Sequence, residues 1–421
     1  MVTGRTIATS SGVTWILPVA TVLVLLLAGT GADVSAETRV RTEIESYAIA
    51  AWTGEDLGLL GTSRGTVDFL SAGDRNVQSR LQLRLTLLED PSGATSPAFL
   101  EVPRASIRFR FPLTEEYTIR VTGGLDRLSW GLGSLFNAAD LIFGADGLSI
   151  ADFTRSEDVR DETAWLLSVY FPLGALGYLE TVLLPPGPDL SLVALAGGDL
   201  GENADTDDNS TSAAGGDGDA MDVPSLDKSR VGIRLHSAAG PLTVEPSWLY
   251  DGTGGVHRMG VSLQGNLWAD IYGAASLHLP EDGPESGRGR IEHVLEDHSL
   301  FSVGAFRMFT VGWDQTLAIR LETLVTPAGA WSDQDDPDAR YAVQLHPELV
   351  WGASRTVQVI GRAVVSPLDA SAEITGGATW NVFQGFHMLA FVSAQVGSDT
   401  AVFGWDRPGS AGMTAGFRYM F

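Results

Sequence analysis

Between Val77 and Leu87 the chain alternates strictly. Val77, Leu81, Leu83, Leu85 and Leu87 share one parity, and Gln78, Arg80, Gln82, Arg84 and Thr86 the other. An α-helix would spread these two sets around its circumference; only an extended strand holds them on opposite faces. The same period returns along most of the chain. Val40, Ile44, Ala48, Ala50 and Trp52 oppose Arg39, Arg41, Glu43 and Glu45. Ala105, Ile107, Phe109 and Phe111 oppose Arg104, Ser106, Arg108 and Arg110, and after a tight turn Tyr117, Ile119 and Val121 oppose Thr118, Arg120 and Thr122. The last eleven residues put Met413, Ala415, Phe417, Tyr419 and Phe421 on one face, with Thr414, Gly416 and Arg418 on the other.

A soluble β-sandwich also alternates, so the choice of solvent rests on the polar face and on strand length. A sandwich turns that face to bulk water and fills it with Lys and Glu. Here it carries Arg, Thr, Gln, Ser and Gly, which can line a lumen. The apolar runs also match the roughly 9–11 residues of a tilted membrane strand better than the ~5–6 of a soluble sheet. A final strand of aromatics with nothing after it to cover them suits a barrel whose outer face is solvated by lipid and whose last strand closes on its first. The expected fold is therefore all-β: a transmembrane, antiparallel, up-and-down β-barrel.

Strands are expected at roughly 228–238, 242–251, 255–265, 268–279, 298–310, 315–326, 340–351, 355–366, 370–382, 386–397 and 411–421. Short turns alternate there with connections that are often longer, the habit of a barrel with tight turns at one rim and larger loops at the other. Upstream, residues 53–75 read as a polar, Gly-rich connection holding at most a short strand at 65–71. Counting that strand and the first one gives 18; omitting both gives 16. A barrel of this size leaves an aqueous channel unless something fills it. Trp52, Trp268, Trp313, Trp351 and Trp380 fall at strand ends, as an interfacial girdle requires.

The N-terminus carries Arg5, an apolar run from Val13 to Ala28, and small residues up to Ala36. That order is a cleaved secretory signal peptide over 1–36, which leaves 37–421 as the barrel. No cysteine is present and the formal net charge is −25, which argues against a general nucleic-acid partner. The acidic stretch 185–226 reads as a solvated extracellular loop.

Arg80, Arg84, Arg104, Arg108, Arg110 and Arg120 all take the inward parity of three consecutive strands, so they are expected to form one basic, pore-lining patch. The alternation then lapses. Residues 126–161 are read as a loop inserted into the barrel as a constriction, with Asp126, Asp140, Asp146, Asp152, Glu157, Asp158 and Asp161 facing the arginines. Bracing of the loop by these pairs, without narrowing, is the competing reading. Gly131 and Gly133 permit unusual backbone, and Asn137 and Asp140 form turns and caps.

The stretch from Gly124 to Phe143 resembles a segment of porin-like outer-membrane families. The match lies in Trp130, Gly131, Gly133, Asn137, Asp140 and Leu141; the departures are Gly124-Leu125-Asp126, where Gly-Arg-Gln is common, and Ala138, where proline is common. The terminal strand likewise resembles the one that outer-membrane barrels present to the barrel-assembly machinery, with Phe417, Tyr419 and Phe421 as the signal. The resemblance implies a bacterial outer-membrane location, lipid and the assembly machinery as partners, and a channel for small polar solutes or ions. It names no solute. A homo-oligomer is left open, and the alternative is a plugged barrel with a structural, surface-interaction or assembly role.

Enzyme motifs are weak. Gly-Lys-Ser and His-Glu-x-x-His patterns are missing from the sequence, and no Gly-x-Ser-x-Gly nucleophile elbow is read in it. His236-Ser237 and His298-Ser299 are adjacent pairs, which a strand places on opposite faces. Glu292, His293, Glu296, Asp297 and His298 lack ligand spacing, and Asp205 to Asn209 lacks the glycine and terminal Glu of an EF-hand. No cofactor is expected, and no catalytic activity.

Overall fold

A computed structural model describes residues 37–52, 56–74, 76–89, 97–145, 162–186, 226–281, 295–334, 340–405 and 409–421. The expected signal peptide at 1–36 and most of the acidic loop at 185–226 lie outside the described residues.

The strands are β1 (Glu37–Trp52), β2 (Leu57–Asp74), β3 (Val77–Glu89), β4 (Ala98–Pro112), β5 (Thr118–Arg127), β6 (Thr163–Pro172), β7 (Tyr178–Leu184), β8 (Arg230–Ala239), β9 (Leu242–Asp251), β10 (Val256–Asn266), β11 (Asp270–Pro280), β12 (Ser299–Thr310), β13 (Thr316–Val325), β14 (Val343–Gly352), β15 (Val357–Ser366), β16 (Ser371–Phe383), β17 (Phe386–Val396) and β18 (Ala411–Met420). They form one 18-stranded sheet in which sequence neighbours pair antiparallel. β1 pairs with β2 on one side and with β18 on the other, from Glu43 opposite Met420 to Ala51 opposite Gly412. Thr42 and Phe421 exchange backbone hydrogen bonds of 2.9 and 3.0 Å just beyond β18. The sheet is thus a closed barrel, and closure removes the unpaired edge that an open sheet would present.

The 18-strand count is the larger of the two expected. The difference lies in β1 and β2, and β2 spans 18 residues instead of the short strand read at 65–71. Its outward face includes Gly61, Ser63 and Gly65, so no apolar stripe announces it. What holds it is a continuous ladder with β1, from Glu37 opposite Ala72 to Trp52 opposite Leu57, and a second ladder with β3.

Outside and inside are inverted relative to a soluble protein. Val303 is 54% exposed and Val261 38%, with Phe109, Leu263, Ile319, Leu349 and Met413 also exposed on outward parities. Inward, Glu322, His346 and Ser262 have no exposed surface. An apolar exterior around a polar interior is stable when lipid is the outer solvent. The tight turns at one rim, such as 240–241 and 384–385, contrast with the longer connections at the other. Trp268, Trp313, Trp351 and Trp380 are exposed at the short-turn rim, whereas Trp52 ends β1 at the opposite one.

Candidate functional site: an arginine wall and an inserted segment

After β5 the chain turns into the barrel. Residues 128–145 cross the lumen and dock on the strands opposite. Trp130, Asn137, Ala139 and Leu141 are at most 1% exposed. The segment's fold is local. The Asn137 amide donates to the Trp130 carbonyl at 2.7 Å, and its oxygen accepts the Ala139 N–H at 3.2 Å. Asp140 Oδ1 accepts the N–H groups of Ile142 and Phe143, both at 3.2 Å, closing the next turn. Gly131 has φ +75°, and a Cβ at Gly133 would sit 2.2 Å from the Phe136 carbonyl oxygen, so both positions need glycine.

The docking is electrostatic at both ends of this turn. Glu322 on β13 accepts the backbone N–H groups of Ser134, Leu135 and Phe136 at 2.7, 2.8 and 3.0 Å, and the Tyr272 hydroxyl donates to it as well. Ser302 on β12 accepts the Ala138 N–H. At the other end carbonyls meet arginines: Arg258 donates to Leu141 O at 3.2 Å and Arg230 to Ile142 O at 2.7 Å. An anion on free N–H groups and cations on free carbonyls complement the backbone dipoles of the segment. Trp130 donates from Nε1 to Glu180 at 3.3 Å, and Glu180 also pairs with Arg234 at 2.7 Å.

Apolar contacts complete the seat. Leu128, Trp130, Leu141 and Ile142 pack with Leu166, Val182, Leu184 and Leu249 of the wall, while Leu135, Phe136 and Ala145 pack with Leu324 and Val364. Gly232 makes room for the indole, since a Cβ there would lie 2.5 Å from Trp130 Cη2.

The six arginines stand on the side the segment leaves uncovered. Arg80 pairs with Asp68, with Nε–Oδ1 at 3.0 Å, and Arg84 with Glu101 at 3.7 Å. Arg108 donates to Thr122 Oγ1 at 3.3 Å and reaches Asp126 at 3.8 Å. Arg104 lies opposite Gln82 on the same face, and Arg110 opposite Arg120. A cleft of about 480 Å³ opens here, lined in part by Arg39, Leu70, Gln78, Arg80, Arg108 and Asp126. The Arg108 side chain is 42% exposed and Arg80 31%, against 12% for Arg234 beneath the segment.

Among the described residues Arg80 pairs with Asp68, Arg84 with Glu101, and Arg108 with Asp126, the first of the acids expected to face the arginines. Asp126 belongs to β5 and also accepts Ser106 Oγ, and Asp140 caps its own turn. The reason is register: Asp68 and Asp126 fall on the same inward parity as the arginines. Asp146, Asp152, Glu157, Asp158 and Asp161 lie outside the described residues, as do Glu292 and His293. Phe417 and Phe421 are exposed on the outer face, with Tyr419 and Phe421 ring centroids 5.2 Å apart. His236 faces inward beside Glu245, and Ser237 takes the opposite parity.

Glu322, Glu180, Arg230, Arg258 and Gly232 do not stand out in the sequence. Their inward parity is readable, but nothing local distinguishes them from other wall residues.

No family model matches the chain, and no curated protein matches it. Among solved structures it is similar to engineered variants of a porin from Rhodopseudomonas blastica. One variant shows a TM-score of 0.40 at 11% identity, and a second 0.41 at 12%; each alignment covers 91% of this chain and 100% of the other. At such scores the likeness carries no argument about function, which has to come from the chain's own geometry.

Proposed function

We propose that this chain is a porin-like channel of the bacterial outer membrane, passing small polar solutes or ions by diffusion through a water-filled lumen. The observation that carries the reading is the asymmetry of the interior. The inserted segment is packed against strands from β6 to β15, while a cleft along β1–β5 that carries Arg39, Arg80 and Arg108 stays open. Such a path needs no covalent chemistry. It needs a dry outer face, a polar inner wall and a fixed narrowing, and residues 128–145 supply the narrowing on a rigid seat. The inward arginines attract anions and the acidic outer loops repel them, so selectivity is set by whichever field dominates at the narrowing. Phe417, Tyr419 and Phe421 serve in this reading as the assembly signal, and the apolar belt meets outer-membrane lipid.

Single-channel conductance of the chain from Glu37 to Phe421 in a planar bilayer tests the proposal, with reversal potential read under a salt gradient. Steady ohmic steps support it. Silence from correctly folded protein would sink it in favour of a plugged barrel with a surface or assembly role, which the burial of Trp130 and of Leu135 to Leu141 favours.

A further inference from the structure

The arginines of the wall are not equally compensated. Arg80, Arg84 and Arg108 each have a carboxylate neighbour. Arg110 and Arg120 have none among the described residues. Arg110 donates to the Gln78 side-chain oxygen at 3.1 Å, and its Nε is buried without a partner. The Arg120 guanidinium carbon stands over the Tyr170 ring, 3.8 Å from its centroid. The two are direct cross-strand partners on β4 and β5, so two like charges face the lumen side by side. Like charges directly opposite on a sheet repel, and an arrangement of this kind is relieved by an anion between them.

The geometry also suits a ligand. The contact with the Tyr170 ring holds the Arg120 guanidinium without using its N–H donors. Tyr170 is itself held by Tyr178 at 4.6 Å, and Tyr178 by His236 at 4.7 Å, so the platform under Arg120 is fixed. Gln78 lines the cleft and, having accepted from Arg110, keeps its amide N–H₂ as a further donor.

We infer that Arg110 and Arg120, with Gln78 beside them, form a binding subsite for a small divalent oxyanion, a tetrahedral phosphate or sulfate or a short dicarboxylate. The inference rests on the channel reading for its role in transport, but binding at the site does not depend on conduction. Two guanidinium groups borne by directly paired residues take more from a ligand with two charges and several acceptor oxygens than from a halide or a neutral sugar. The subsite therefore slows and concentrates divalent oxyanions at the wall opposite the inserted segment.

The test uses the full-length protein isolated from membranes in detergent. Equilibrium dialysis with labelled inorganic phosphate at low ionic strength is expected to show saturable binding, displaced by sulfate or succinate and not by glucose. The order of displacement by sulfate and succinate tells the tetrahedral from the dicarboxylate ligand. Arg110→Gln and Arg120→Gln together should raise the half-saturating phosphate concentration at least tenfold, with heat-modifiable migration confirming that the barrel remains folded. Arg120→Lys keeps the charge but loses the guanidinium fork, and should fall between. In the bilayer, phosphate should reduce chloride current saturably in the wild type and much less in the double variant. Phosphate binding by a barrel that does not conduct would uphold the subsite and remove the channel reading. A conducting wild type that neither binds phosphate nor loses chloride current to it would overturn the subsite and leave the channel.

Discussion

Replacing Glu322 with Ala should release the inserted segment from the wall opposite its origin. Glu322 has no exposed surface and accepts three backbone N–H groups, besides the Tyr272 hydroxyl. One hydrogen bond to a charged group contributes about 1.5–3 kcal/mol net. Three would sum to ~5–9 kcal/mol, but bonds sharing one carboxylate are not additive, and lumen water can replace part of what is lost. The net loss for docking is therefore about 3–5 kcal/mol, on the order of 10²–10⁴-fold in the docked-to-undocked ratio. Hydrogen exchange reads this directly. The amides of Ser134, Leu135 and Phe136 should lose protection by that factor, while strand amides of β12 and β13 keep theirs. Glu322→Gln retains one acceptor oxygen without the charge and should lie between. Single-channel current should become noisier as the segment samples undocked positions. Unchanged protection at residues 134–136 in a folded Glu322→Ala barrel would refute the view that this carboxylate anchors the segment.

Gly232→Val should push the Trp130 indole off the wall, since even a Cβ approaches it to 2.5 Å; a blue-shifted, unquenched tryptophan emission identical to wild type would contradict this. Val261→Arg places a charge at the middle of the lipid-facing side of β10 and should cost ~2–4 kcal/mol in refolding equilibria; a neutral effect would mean that this face does not meet lipid. Phe421→Ser should lower the yield of heat-modifiable barrel in the membrane, and wild-type levels would remove the assembly role of the aromatic terminus. Asp369, in the turn between β15 and β16, is held below the usual carboxylate range: burial alone would raise it, but hydrogen bonds from Ser371 and from the Val402 N–H at 2.9 Å outweigh that. A depressed folded value means that its stabilisation is present above the unfolded value of about 3.9 and is lost as pH falls through the folded one. Asp369→Asn should therefore make the 397–410 connection more sensitive to protease at pH 7 and indistinguishable from wild type in strong acid.

Much of the architecture was legible because a barrel strand has one dry and one wet side. Parity alone put Arg80, Arg108 and Arg120 indoors and Phe109, Leu81 and Phe417 outdoors, and the lapse of parity after β5 marked where the chain leaves the wall. β2 was not legible, because Gly61, Ser63 and Gly65 have no side chains large enough to declare an apolar face, and what fixes it is its long backbone ladder with β1, with Arg64 paired to Glu45 across it. The partners of the inserted segment were not legible either. Glu322 lies 188 residues from Ser134, Arg258 117 from Leu141 and Arg230 88 from Ile142. A periodic pattern reports which solvent a side chain meets, and that is a local property. Which wall residue a segment crossing the lumen will touch depends on strand number, register and closure together, and only the folded barrel brings those into one place. The same holds for the arginines: their facing was set by parity, but that Asp68 and Asp126 would neutralise some and leave Arg110 beside Arg120 was decided by the register between β2, β3, β4 and β5.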